Sequence, residues 1–277
     1  MKKLIESLLT STAIFLFAGL LGTSSAWAST ASVSGPWNDP NTWTELAVPT
    51  GADPVTINSG ITVNVPAGVA AVCTDLTVGG AATSIILDDA TSSLVASGNV
   101  LVDRPDVTGN INQINVGAGT FSAGSLVLGS GSATTGSTRK TDLVISTGTA
   151  TITGDLTTYA DAARITFSGA GTLNVGGSFT WATSAPTLSS ATGTVNYNGA
   201  GAQTVLALAY NNLTLSGSGA KTMGTGISVT GKLTIAPTGS AFASVANGAH
   251  LRVRGLTLGA VNQVNGTWGS SGSTATH

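Results

Sequence analysis

Charge is scarce in this chain. Lys, Arg, Asp and Glu together make up 8% of its 277 residues, against roughly a quarter in ordinary soluble proteins. Chains kept unfolded by their charge need the opposite balance, and 42% hydrophobic residues leave this one enough to bury. Ten basic residues stand against twelve acidic ones with no basic cluster, which excludes nucleic acid as a partner class because phosphates would go unneutralised. Cys73 is the single cysteine, so no internal disulfide can form. Within "AAVCTDLTV" it reads as a small buried apolar residue. His250 and His277 are the only two histidines and cannot alone build a zinc site of the usual kind; no metal or other cofactor is expected. The sequence holds no G-x-S-x-G and no phosphate loop with its lysine. Beyond about residue 30 no run shows helical periodicity.

What the chain does have is glycine, 37 residues of it, together with much Thr, Ser, Val and Ala. Thr and Val are β-branched and favour extended backbone, while Gly and Asn supply tight turns. The composition reads as all-β with many short strands. Residues 1–28 stand apart. Lys2 and Lys3 precede an apolar stretch from Leu8 to Leu21, and "SSAWA" ends in small residues at Ala26 and Ala28. That is the pattern of a secretory signal peptide cut after Ala28; the apolar stretch is shorter than the roughly 20 residues of a spanning helix. A secreted or cell-surface bacterial protein is expected, with no membrane span after cleavage.

One short phrase recurs: small or polar, one free position, then an apolar residue in an alternating run. It begins at Thr74, Gly98, Gly124, Gly154, Gly177, Gly231 and Gly255, in steps of 24, 26, 30, 23, 54 and 24 residues. The long step is a double one, with "NNLTLSG" at Asn211 to Gly217 inside it. Fixed-period self-similarity marks repeat architectures. Leucine-rich repeats need several Leu at fixed offsets and an Asn, and helical repeats need helices; neither is present. The expectation is a right-handed parallel β-helix with coils of about 25 residues, strands of about five residues and glycine-rich turns. In "KLTIA", Leu233 and Ile235 would point in and Lys232 and Thr234 out. The glycine opening each phrase is expected to permit a backbone bend. Stacked coils also account for the scarcity of charge, since like charges one strand apart repel while Thr on Thr does not. A pair of β-sandwiches is the alternative architecture.

The start of the mature chain differs from the repeats. Trp37 and Trp43, two of five tryptophans, flank a Pro-Asn turn. They are read as a lid on the open end of the stack, or else as an aromatic platform for sugar rings. The stretch "WNDPNTW" followed by "VPTGADPVTINSGITVNV", residues 37–43 and 48–65, resembles the opening of G8-type and related β-helix domains of bacterial surface proteins. "YNNLTLSGSGAKTM" and "SVTGKLTI", within Tyr210 to Ile235, resemble repeats of secreted adhesin-like proteins. The resemblance implies an extracellular rod used for attachment, matrix building or glycan handling, and it carries no catalytic residues over. The expected organisation is a signal peptide at 1–28, a capping segment at 29–54, a β-helix at 55–265 and a tail at 266–277.

Candidate chemistry is thin. Glycoside chemistry needs two carboxylates about 5–10 Å apart. Asp88 and Asp89 in "LDDATSS" read as a turn, and Asp103 and Asp106 flank Arg104 in the loop "VDRPDVTGN". A polysaccharide lyase or hydrolase would work through Asp103, Arg104 and Asp106. Arg252 and Arg254 in "RVR" read as a solvated edge. The leading expectation is a non-catalytic structural or adhesive protein that binds glycan or matrix surfaces. A third reading, ice or another crystalline surface, rests on outward threonines near Thr151 and Thr153, Leu156 to Thr158 and Leu233 to Ile235. Coil steps of 23 to 30 predict loops that interrupt such an array.

Overall fold

A computed structural model describes residues 26–129, 138–159, 163–181, 187–239, 242–246 and 251–266. Residues 1–25 of the expected leader and most of the tail lie outside them. The described chain is all-β apart from one 3-10 turn at Pro40–Thr42. Its strands form sheets of 15, 7, 3 and 2 strands. The inter-strand pairings are parallel except the last, Gly255–Leu258 with Val261–Asn262, and one isolated bridge between Ala31 and Trp43. Parallel neighbours cannot be joined by a hairpin, so the chain must travel away and return between them. That overturns the β-sandwich alternative, whose sheets are antiparallel. Parallel sheets visited in rotation are compatible with a β-helix.

The 15-stranded sheet has two arms. The first runs through Ala70–Cys73, the leading halves of Ser93–Val102 and Thr120–Leu128, then Thr149–Ile152, Thr172–Val175, Thr194–Tyr197, Asn212–Gly217, Lys232–Pro237 and Gly255–Leu258. The second runs through Ser29–Ala31, Val55–Ile57, Leu76–Val78, the trailing halves of the same two long strands, Leu156–Thr158 and Phe179–Trp181. The arms meet at a corner marked by a register shift between Ala123 and Ser125. A seven-stranded sheet from Gly35–Pro36 to Thr187–Ser189 forms a further side.

Alternation along each strand builds one core. Leu94, Phe121, Ala150, Leu173, Val195 and Leu213 stack inward along the first arm, and Leu76, Val100, Leu126 and Leu156 along the second. Ile85, Ile114, Leu143 and Ile165 line the seven-stranded sheet. All are buried. Large stacks on small where Phe121 meets Ala150, as dense packing requires. Leu233 is buried and Lys232 exposed, as the alternation predicts.

The recurrent phrase divides between the arms. Those from Thr74 to Gly177 stack on one another along the second arm, with Leu76, Val100, Leu126, Leu156 and Phe179 in register. The phrases at Gly231 and Gly255 belong to the first arm, where Leu233 faces Leu213 and Leu256. A single repeat is therefore written on two different sides of the molecule.

The segment expected to be a cap supplies the end strand of the 15-stranded sheet, Ser29–Ala31, and of the seven-stranded sheet, Gly35–Pro36. Asp39 accepts from the Asn41 N–H at 2.9 Å and so starts the 3-10 turn. That turn carries Trp43 onto Trp37, ring centroids 5.0 Å apart at 72°. Trp43 Nε1 donates to the Trp37 carbonyl at 2.9 Å.

Candidate functional site: a threonine and asparagine face

The outward side of the first arm is the most regular surface on the described chain. Thr120, Thr149, Thr172 and Thr194 stand in register on four successive strands. Beside them, two residues along each strand, run Ser122, Thr151, Asn174 and Asn196, continued by Thr214 and Thr234; Thr257, next in register, is buried and its hydroxyl donates to Asn262 Oδ1 at 2.7 Å. Neighbours along a row are about 4.8 Å apart and the rows about 6.6 Å apart, set by strand spacing and rise. Every inward partner between the rows is apolar, which pins the register against slippage.

The two rows differ in how their polar groups are used. Asn196 Nδ2 donates to Asn174 Oδ1 at 2.9 Å, and Asn174 Nδ2 to Thr151 Oγ1 at 3.2 Å. Ser216 Oγ, two residues past Thr214 on the next strand, donates to Asn196 Oδ1 at 2.8 Å. The middle of this row, Thr151 to Asn196, is zipped to itself. The four hydroxyls of the threonine row make no hydrogen bond within the described chain and face outward, each beside its methyl group. From Ala70 to Thr257 the only charged residue among the outward positions of this arm is Lys232.

The variation in coil length misses this face. Connections from the second arm to the seven-stranded sheet range from three residues, between Ala31 and Gly35, to eleven, between Leu128 and Lys140. The expectation that loops interrupt the threonine array is thus corrected: the long insertions leave at another corner. Of the threonines singled out in the sequence, Thr151 and Thr234 lie in this array and Thr157 is outward on the second arm. Thr153 lies past the end of its strand, its hydroxyl donating to the Ala123 carbonyl at 3.2 Å; it is not part of the array. The sequence signal missed was a second phrase, "GTFSA", "GTATI", "GTLNV" and "GTVNY", whose Gly-Thr pairs fall at 119/120, 148/149, 171/172 and 193/194.

The aromatic platform fails on burial. Trp37 and Trp43 are 1% and 0% exposed, so neither indole has a face to offer a sugar ring. Asp103, Arg104 and Asp106 lie in the loop between Ser93–Val102 and Ile111–Gly117. Asp103 accepts from the Arg104 N–H at 2.7 Å, its carbonyl accepts from Asn112 Nδ2, and Asp106 is exposed. These contacts hold the loop to its own neighbours. Asp89 closes a turn by accepting from the Thr91 N–H at 2.8 Å, and the Thr91 hydroxyl holds its carboxyl below the usual range. Arg252 and Arg254 are exposed but lie outside any strand. His250 and His277 lie outside the described residues. Among the described residues no group of three or more His, Cys, Asp or Glu is placed to hold a metal ion, and no helix is long and apolar enough to cross a membrane. Cys73 is buried, and burial followed by the Asp75 charge pushes its thiol up to about 12, which makes it a packing group at neutral pH.

Polar groups also reach the interior. Gln203 and Lys221 are stacked in register on the inward side of the three-stranded sheet. Gln203 Nε2 donates to the carbonyls of Val175 and Gly177, and its Oε1 accepts from the Gly199 N–H. Lys221 Nζ donates to the carbonyls of Gly199 at 2.9 Å and Gly219 at 2.7 Å. They supply the donors for the Gly177 and Gly219 carbonyls, and each adds a second donor to a carbonyl that already accepts a backbone N–H, Val175 from Asn198 and Gly199 from Gly219. On the seven-stranded sheet Arg164 makes a two-point contact to the buried carboxylate of Asp142.

No family model matches this sequence, and no curated protein and no solved structure matches it.

Proposed function

We propose that the chain is a right-handed parallel β-helix of the G8-like, adhesin-like kind. In this reading the Trp37–Trp43 pair closes its N-terminal end, and the protein is exported to the surface or surroundings of a bacterial cell. It acts there as a non-catalytic structural or adhesive element. Its contact surface is the threonine and asparagine face, and its partners are neutral glycans or other matrix polymers.

The observation that carries this reading is the pair of outward rows held in register across four strands and nearly free of charge. An uncharged face does not recruit phosphate or carboxylate polymers by charge. Many identical weak donors and acceptors suit a partner that is itself repetitive, since each added coil adds the same contact. The signal-like residues 1–28 and the surface-protein resemblance of residues 37–65 support export.

An array of immobilised glycans and matrix polymers tests the proposal. The purified protein is expected to bind neutral polymers, with binding weakened by Thr172→Tyr. Cleavage of a polysaccharide that disappears in Asp106→Asn would replace this reading with a lyase or hydrolase.

A further inference from the structure

The threonine face has the attributes of a surface that matches a lattice rather than a single chain, and we infer that it binds ice. The inference rests on the same face as the adhesive reading but goes beyond it in naming ordered water as the ligand.

Three observations lead there. The first is register. The four strands that carry Thr120, Thr149, Thr172 and Thr194 pair with one another without a register shift, and the connections of three to eleven residues lie elsewhere. The outward groups therefore form a grid of about 4.8 by 6.6 Å. The second is rigidity. The middle of the neighbouring row, Thr151, Asn174 and Asn196, is hydrogen-bonded side chain to side chain. The β-branched threonines beside it are themselves stiff about χ1, so little rotamer entropy is left to lose on binding. The third is chemistry. Each threonine of the open row presents one hydroxyl, able to donate and accept, beside one methyl group. Repeated on a grid, that combination can anchor ordered water by hydrogen bonds while the methyls restrain it from disordering.

A neutral crystalline polysaccharide offers a hydroxyl lattice as well, but sugar rings also present apolar faces that pack on exposed aromatics. This face has none. Phe121, the large aromatic of these strands, and Tyr197 beside it both point inward and are buried. The absence of a ring platform favours water over sugar.

The test is ice-crystal shaping and thermal hysteresis of the purified full chain, set beside pull-down on microcrystalline cellulose and chitin. Shaped crystals are expected. Thr172→Tyr, which raises a bulky ring from the middle of the grid, should reduce hysteresis tenfold or more while leaving the circular dichroism unchanged. Thr166→Tyr, outward on the seven-stranded sheet, should leave hysteresis intact and controls for folding. Unshaped ice at high protein concentration overturns the inference, as does shaping that Thr172→Tyr does not alter. Unshaped ice with capture by a polysaccharide removes the ice reading and leaves the adhesive one standing; shaped ice with no capture by any polymer does the reverse.

Discussion

Gly124 sits directly against Gly98 of the neighbouring parallel strand, so close that a Cβ on Gly124 would stand 2.6 Å from the Gly98 carbonyl oxygen. The same relation holds between Gly154 and Gly124 and between Gly177 and Gly154, each at 2.6 Å. None of these glycines has a positive φ. The expected reason for glycine, conformational freedom at a bend, is therefore replaced by another: the corner is too crowded for a side chain. Gly124→Ala should cost about 1–3 kcal/mol through backbone displacement, read as a lower urea midpoint. Gly201→Ala, where a Cβ meets nothing within 4 Å and φ is not positive, should be neutral or stabilise by about 0.4–1 kcal/mol. Equal effects at the two sites would refute the crowding account.

That glycine ladder marks how far the sequence was legible. Alternation in "KLTIA" and the repeated phrase both pointed to stacked parallel strands, because parity and period are local. Which side of the coil a phrase occupies is not local. Leu156 and Leu233 sit in near-identical phrases yet on different arms, and only the pairing reveals it. Interior polar residues were partly legible. Lys221 shares parity with Met223 in "KTM", and Gln203 with Val205 in "QTV", which puts both inside. Sequence alone does not show the turn carbonyls that accept them, since these come from neighbouring coils. The indole pair could be read as a structural unit or as an exposed platform, and the choice depended on burial, which the spacing of Trp37 and Trp43 does not encode.

Lys221 offers a test of the interior. Its ammonium is enclosed, donates to two glycine carbonyls, and its ordinary value is lowered by burial. Gln203 does the same work one coil earlier without a charge. Lys221→Gln should therefore keep stability within about 1 kcal/mol, because an amide can still donate while the desolvation of a charge is removed. Lys221→Met should leave the Gly219 carbonyl without a donor, at about 1–3 kcal/mol, while the Gly199 carbonyl keeps the Gly219 N–H at 3.2 Å. Denaturant titrations of the two variants decide it. Methionine proving at least as stable as glutamine would mean the Gly219 carbonyl finds another donor and Lys221 is not holding the turn.

Alkaline pH should unfold this protein from within. Burial pushes the Cys73 thiol, ordinarily 9.0, up to about 12, with the Asp75 charge adding to it. Burial likewise pushes Tyr197, ordinarily 10.0, up to about 12, against the opposing effect of its hydrogen bond with Tyr210. Tyr210 is raised as well, by burial first and then by Tyr197, whose hydroxyl lies 2.9 Å away. A folded value above the unfolded one means that the folded state holds its proton longer. The associated stability is complete below the unfolded value and is lost as pH rises beyond it. Loss should begin near pH 9 through Cys73 and steepen above pH 10 as both tyrosines join, at about 1.4 kcal/mol per pH unit for each group. Lys221 acts in the opposite sense, its lowered value favouring the fold as pH rises toward 10.5, so Lys221→Gln is the cleaner background. Followed together, far-UV circular dichroism and tyrosinate absorbance should show two of the three tyrosines ionising only as the strand signal collapses, between about pH 10 and 12. In Cys73→Ala the early part of the decline, from pH 9 to 10, should flatten. Tyrosinate absorbance that reaches its full amplitude near pH 10 with the strand signal intact would show that the Tyr197–Tyr210 pair is open to solvent and that the core is not closed as described.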